Sequence, residues 1–156
     1  MKRIFLLAAI ILAAIGCSSQ KTASKAEQAA NIRQKIESQH YRVNVDYVIP
    51  AQGNARPLTS LYSVEIKGDT LVSYLPYFGV AYNIPYGGGK GLNFEAQTLD
   101  YSLQDNEKGT IQISFQAISE QDKYQYFIEV YDNGKAFVRV NSINRQSISF
   151  YGEIDE

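Results

Sequence analysis

Tyr124-Gln125-Tyr126-Phe127-Ile128-Glu129-Val130-Tyr131-Asp132-Asn133-Gly134-Lys135-Ala136-Phe137-Val138-Arg139-Val140-Asn141 decides the fold. Apolar and polar side chains alternate on both sides of Asp132-Asn133-Gly134, so Tyr126, Ile128, Val130, Val138 and Val140 share one face. Asn-Gly between two such runs is a strong hairpin signal and predicts a two-residue type I′ turn. The opposite face still carries Phe127, Tyr131 and Phe137, too apolar to be left in water as a patch. Something is expected to cover it, and the nearest candidate is a helix near the start of the chain.

The same period of two recurs outward from the hairpin. Ile111, Ile113, Phe115 and Ala117 alternate with Gln112, Ser114 and Gln116, and Ser119 to Lys123 reads as a polar turn. Leu99-Tyr101-Leu103 precedes them, closed by Gln104 to Gly109. Thr70 to Leu75, Tyr62-Val64-Ile66 and Tyr41-Val43-Val45-Tyr47 are earlier strands, and Ser147 to Ile154 is the last. From Ser24 to Gln39 the period changes to that of a helix. Ala26, Ala29, Ala30, Ile32 and Ile36 form a narrow stripe, with Ser24 and Glu27 placed as a capping box. Short links between successive strands make them antiparallel neighbours. The expectation is a mainly β domain: an antiparallel meander of seven to nine strands, as a curved sheet, half-barrel or sandwich, with one N-terminal α-helix packed on it.

The first seventeen residues carry a different message. Lys2-Arg3, the apolar run Ile4 to Ile15 and the small residue Gly16 have the layout of an export signal. Ala14-Ile15-Gly16-Cys17 resembles the lipobox of bacterial lipoproteins, although Ala14 stands where leucine is usual. Thirteen residues separate Arg3 from Cys17, short of the ~20 needed to span a bilayer. The organisation expected is a signal peptide over 1–16, lipidated Cys17 with a polar tether over 17–25, and one compact β-rich domain over 26–156. Cys17 is the only cysteine, so no disulfide can form within the chain.

Without residues 1–16 the chain keeps 13 basic and 16 acidic residues, with no densely basic stretch. That gives no electrostatic footprint for nucleic acid. His40 is the sole histidine, so a histidine-rich zinc site cannot be assembled, and its place at the helix–strand junction reads as a helix-end or solvated side chain rather than as the base of a Ser-His-Asp triad. Glu95 and Asp100 can be imagined as a glycosidase pair, but nothing singles them out from other carboxylates. Gly87-Gly88-Gly89-Lys90-Gly91 lacks the first glycine and the Ser/Thr of a phosphate loop. No cofactor is expected.

The aperiodic stretch Pro76 to Phe94 stands out, because long irregular segments in compact domains are often functional. Its aromatics, Tyr77, Phe78, Tyr82, Tyr86 and Phe94, form a candidate binding surface. Arg145 sits in the polar link Asn144-Arg145-Gln146. It is either a solvated turn residue or a planar cation stacked on those aromatics.

Tyr74 to Tyr82, Gly87 to Phe94 and Ser142 to Gly152 resemble the recurring blocks of a family of small lipoproteins from Bacteroidetes, a domain of unknown function. The resemblance covers about Ala26 to Ile154 and implies one compact domain in the cell envelope, without implying an activity. Surface-exported lipoproteins of these bacteria often carry acidic residues soon after the lipidated cysteine. Ser18-Ser19-Gln20-Lys21 has none, which points to the periplasmic side of the outer membrane. The function expected is a non-enzymatic binding or accessory module, held to the membrane through lipid, for an envelope protein or small ligand. The alternative is a carboxylate-based hydrolase acting on envelope material.

Overall fold

The computed structural model describes residues 16–83, 91–106, 109–119 and 122–155, with side chains described from residue 25 onward. The signal-peptide residues 1–15, Tyr86 and most of the Gly87–Gly91 run therefore lie outside the described residues. One helix, α1 (Gly16–Glu37), is followed by β1 (His40–Pro50), β2 (Arg56–Lys67), β3 (Thr70–Leu75) and β4 (Leu92–Asn106). The chain continues through β5 (Thr110–Ser119), β6 (Asp122–Tyr131), β7 (Lys135–Ser142) and β8 (Ile148–Ile154). Each strand pairs antiparallel with the next, and β8 returns to pair with β1, so the meander is a closed eight-stranded barrel. Closure is finer than the curved sheet, half-barrel or sandwich expected.

Eight strands leave a lumen that side chains can fill. Phe115 stacks on Tyr126 at 5.1 Å and on Tyr101 at 5.9 Å, and Phe94 stacks on Tyr124 at 4.7 Å. The Tyr126 hydroxyl donates to Ser73 Oγ, and Ser73 Oγ donates to the Leu92 carbonyl, so these buried polar atoms are satisfied. Burial pushes the Tyr126 phenol far above its ordinary pKa, keeping it a neutral donor.

Two bulges interrupt the alternation. In β1 the register shifts between Val45 and Tyr47, which turns Tyr47 outward and Val48 into the core, the reverse of the expected Tyr41-Val43-Val45-Tyr47 pattern. In β4 it shifts between Leu99 and Ser102, with Asp100 at φ +53°. Leu92, Phe94 and Ala96 pack inward before that bulge, and Tyr101 and Leu103 after it, so Leu99 is exposed. β4 starts at Leu92, and the irregular segment ends there rather than at Phe94.

The helix also departs from expectation. Its described part runs from Gly16, so the stretch assigned to a tether is helical and Ser24 lies inside the helix rather than capping it. No glycine or proline between Cys17 and Glu37 breaks it. Nor does it cover the second face of the hairpin. Ile32 and Ile36 are buried at one end of the barrel, beside Gly134 and Ile154. Arg33 pairs with Asp105 at 2.7 Å, and Lys35 Nζ donates to the Asp155 carbonyl. A stripe two isoleucines wide can stop an end but cannot cover a wall. Phe127 and Tyr131 consequently remain exposed.

The turn at Asn133-Gly134 is a three-residue loop rather than a two-residue one. Gly134 N donates to the Tyr131 carbonyl at 2.9 Å, and Gly134 alone takes positive φ, +82°. That is the arrangement in which a tight turn is followed by a glycine bulge. The Asn133 side chain accepts from Lys135 N, which secures the longer loop.

Candidate functional site

The barrel end opposite the helix is closed by the chain after β3 and by the β7–β8 link. Here residues 80–82 run antiparallel to 144–146, as an isolated bridge between Ala81 and Arg145. Tyr82 N donates to the Asn144 carbonyl at 2.7 Å, and Gln146 N to the Val80 carbonyl at 3.0 Å. The Gln146 side chain accepts from Val80 N, and the Tyr77 hydroxyl lies 3.0 Å from both the Val80 and Gln146 carbonyls. Gly79 has to be small, because a Cβ there would stand 2.8 Å from the Tyr77 hydroxyl.

Arg145 is buried beneath this platform. Its Nη1 donates to the Gly91 carbonyl at 3.0 Å, and its guanidinium lies 5.3 Å from the Tyr77 ring centroid. Gly91 brings its carbonyl there in a left-handed conformation, φ +71°, with a Cβ position only 3.3 Å from the Leu75 carbonyl. Arg145 thus adopts the stacked alternative, holding both ends of the loop between β3 and β4. Its counter-charge is Asp122, 3.9 Å from Nε. Asp122 also accepts from Lys123 N at 2.8 Å, Asn144 Nδ2 at 3.1 Å and Ser142 Oγ. Burial raises the Tyr77 and Tyr124 phenols above their ordinary pKa, while the Arg145 cation pulls both the other way.

Asp122 is the member that sequence reasoning missed. Ser119 to Lys123 reads as a solvated turn, and the signal available is an aspartate at the first position of β6, which comes within hydrogen-bond reach of Ser142 and Asn144 only after the hairpin closes. The aromatics of the candidate surface part company. Tyr77 lies half-buried against Arg145, and Phe78 is half-buried with Arg56 4.0 Å over its ring. Phe94 points into the barrel against Tyr124, so it is core rather than surface. Tyr82 stands outward, 68% exposed, and Ile143 across the bridge is 78% exposed. Val80 is exposed with them. Glu95 and Asp100 are both exposed on β4, Asp100 within its bulge.

The arrangement therefore presents apolar side chains on a backbone held by four hydrogen bonds and a buried ion pair. Its polar groups, Arg145, Asp122, Tyr77, Gln146, Ser142 and Asn144, are engaged with one another or with backbone carbonyls and amides. No helix among the described residues is long and apolar enough to cross a membrane.

Comparison with known proteins agrees with this architecture. A search of curated proteins finds no match to the chain. The chain is similar to the crystal structure of a DUF4251 family protein from Bacteroides eggerthii DSM 20697, with a TM-score of 0.64 and 19% identity over 85% of this chain and 89% of that one. At that identity the likeness concerns the fold alone. The family described as "Domain of unknown function (DUF4251)" matches residues 23–154, which takes in every strand of the barrel and the helix turns that stop its end. The chain belongs to the DUF4251 family.

Proposed function

We propose that this protein is a lipid-anchored envelope module whose barrel binds a partner through the rim formed by residues 80–82 and 143–146. The observation that carries this reading is the fixed exposure of Val80, Tyr82 and Ile143 on a stapled backbone. Exposed apolar groups usually sit on mobile tips, whereas pre-ordered ones lose little entropy on binding and serve as anchors. The engagement of Arg145 by Asp122, Gly91 and Tyr77 supports a non-enzymatic role over the hydrolase alternative. Ala14-Ile15-Gly16-Cys17 supports the anchor, and Ser18 to Lys21 supports a periplasm-facing position on the outer membrane.

Two measurements test this reading. Metabolic labelling with a fatty-acid analogue is expected to mark the wild type and not Cys17→Ser. A photo-crosslinking amino acid at position 82 or 143 is expected to give one discrete adduct in intact cells, absent when the same group replaces Gln97 on the outside of β4. Labelling that survives the cysteine substitution overturns the anchor. Adducts that are equal at 97, or missing from both rim positions, overturn the binding rim.

A further inference from the structure

The hairpin face that no helix covers remains to be accounted for. Tyr47 on β1 pairs with Tyr151 on β8, and Tyr151 pairs in turn with Phe137 on β7. Phe137 is opposite Glu129 on β6, and Phe127 and Tyr131 lie two residues to either side of Glu129. Alternation turns all five aromatics outward, with Tyr151 51% and Phe127 42% exposed. The Phe137 and Tyr151 rings sit 5.2 Å apart, and Arg139 lies 5.4 Å from the Phe137 centroid. Single surface aromatics need no explanation, but five contiguous ones across four strands mark an interface.

We infer that this wall of β6, β7, β8 and β1 is the contact between two copies of the chain in a two-fold dimer. Its charge pattern selects that occupant. Phe127 pairs with Arg139 and Glu129 with Phe137, so Glu129 and Arg139 are diagonal neighbours bracketed by two phenylalanines. A two-fold axis lying in the wall and crossing the Glu129–Arg139 line at right angles sets each Arg139 against the other copy's Glu129. One symmetric contact then supplies two ion pairs and buries every aromatic twice. Lys135 and Glu153 at the margin pair within the chain, and Asp46 beside them adds one negative charge, too little to attract a strongly charged partner. Aromatic residues with an arginine among them are the composition that interface cores favour.

Phe127→Cys in the full chain tests this in intact cells, using a short bismaleimide and two differently tagged copies. The parent chain, whose sole cysteine is Cys17, is the blank, and Gln97→Cys on the opposite wall is the control. The expected result is a chain-to-chain adduct carrying both tags from Phe127→Cys alone. Arg139→Glu is expected to cut its yield about tenfold by setting like charges together, and adding Glu129→Arg to restore it. Restoration shows that the single variant lost a contact and not its fold. No mixed-tag adduct, an equal yield from Gln97→Cys, an adduct only to a different protein, or a yield indifferent to Arg139→Glu would each overturn the proposal.

Discussion

Gly152→Ala is the sharpest test of the closed barrel, because Gly152 sits on the β1–β8 seam. A Cβ built on Gly152 would stand 2.0 Å from the Asn44 carbonyl oxygen and 2.8 Å from Val45 Cα, both backbone atoms. The bulge after Val45 draws β1 across Gly152 there, so the methyl group cannot be absorbed by a rotamer change. Ordinary contact needs 3.4 Å, and β1 would have to retreat by about 1.4 Å. That exceeds the ~0.5 Å spread of good hydrogen-bond lengths, so the ladder bonds on either side break. Two or three bonds at roughly 1 kcal/mol each give a loss of about 2–4 kcal/mol, and overpacking strain adds to it. In a domain this size each kcal/mol lowers Tm by about 4 °C, so the melt is expected to fall by roughly 10–15 °C. Circular dichroism melts of wild type and variant measure it. Gly68→Ala is the companion: its φ is +63° but nothing lies within 4 Å of the new Cβ, so it reports backbone strain alone, about 1 kcal/mol. A Gly152→Ala melt no lower than that of Gly68→Ala would refute the seam geometry.

Three further outcomes are expected. Arg145→Ala leaves Asp122 buried without its cation and is expected to cost about 3 kcal/mol; hydrogen exchange should quicken at the Tyr82 and Gln146 amides and stay slow at Gly134. Burial alone would raise the Glu65 carboxyl, but hydrogen bonds from Arg42 and Lys67 outweigh it and hold its pKa below 4.5 in the folded state. A depressed folded pKa stabilises above the unfolded value and is lost as pH falls through the folded one, so wild type should lose more Tm than Glu65→Gln below pH 4.5, and parallel curves would contradict the pairing. Gly134→Val places a β-branched residue at φ +82°, where Ile32 and Ile154 at 3.7 Å leave room for a methyl; the denaturation midpoint should report about 1–3 kcal/mol of strain, and no change would mean the turn relaxes without glycine.

Most strands were legible because one face of each is buried, which writes a period of two into the chain. What escaped was whatever breaks or exceeds that local code. The bulges at Asp46 and Asp100 each shift the period by one residue, so Tyr47 and Leu99 read as inward while they point out. Leu92-Asn93-Phe94-Glu95-Ala96 does alternate, yet it follows glycines and reads as part of the loop. Closure left no local trace, since β1 and β8 are ordinary strands whose partnership is a matter of curvature. At the rim, Arg145 could be weighed only because its planar cation and the nearby aromatics are chemically matched. Asp122 could not, because its partners Ser142, Asn144 and Arg145 come together only through the tertiary fold.

The seam also sets an order of events. Every pairing but one joins neighbours along the chain, whereas Val43 meets Ile154 about 110 residues later. The meander can zip locally from hairpins such as β6–β7, so most of its contacts form early and at low entropic expense. The β1–β8 contact must wait for the final strand and pay the closure of nearly the whole domain. Until then both edge strands carry unpaired amides and carbonyls, and the half-made sheet is open to pairing with another chain. During synthesis that interval begins when Tyr41 emerges and ends only with Ile154. Loss of the last few residues would therefore do more than shorten β8: it would leave a sheet with two permanent edges, fit to aggregate instead of fold.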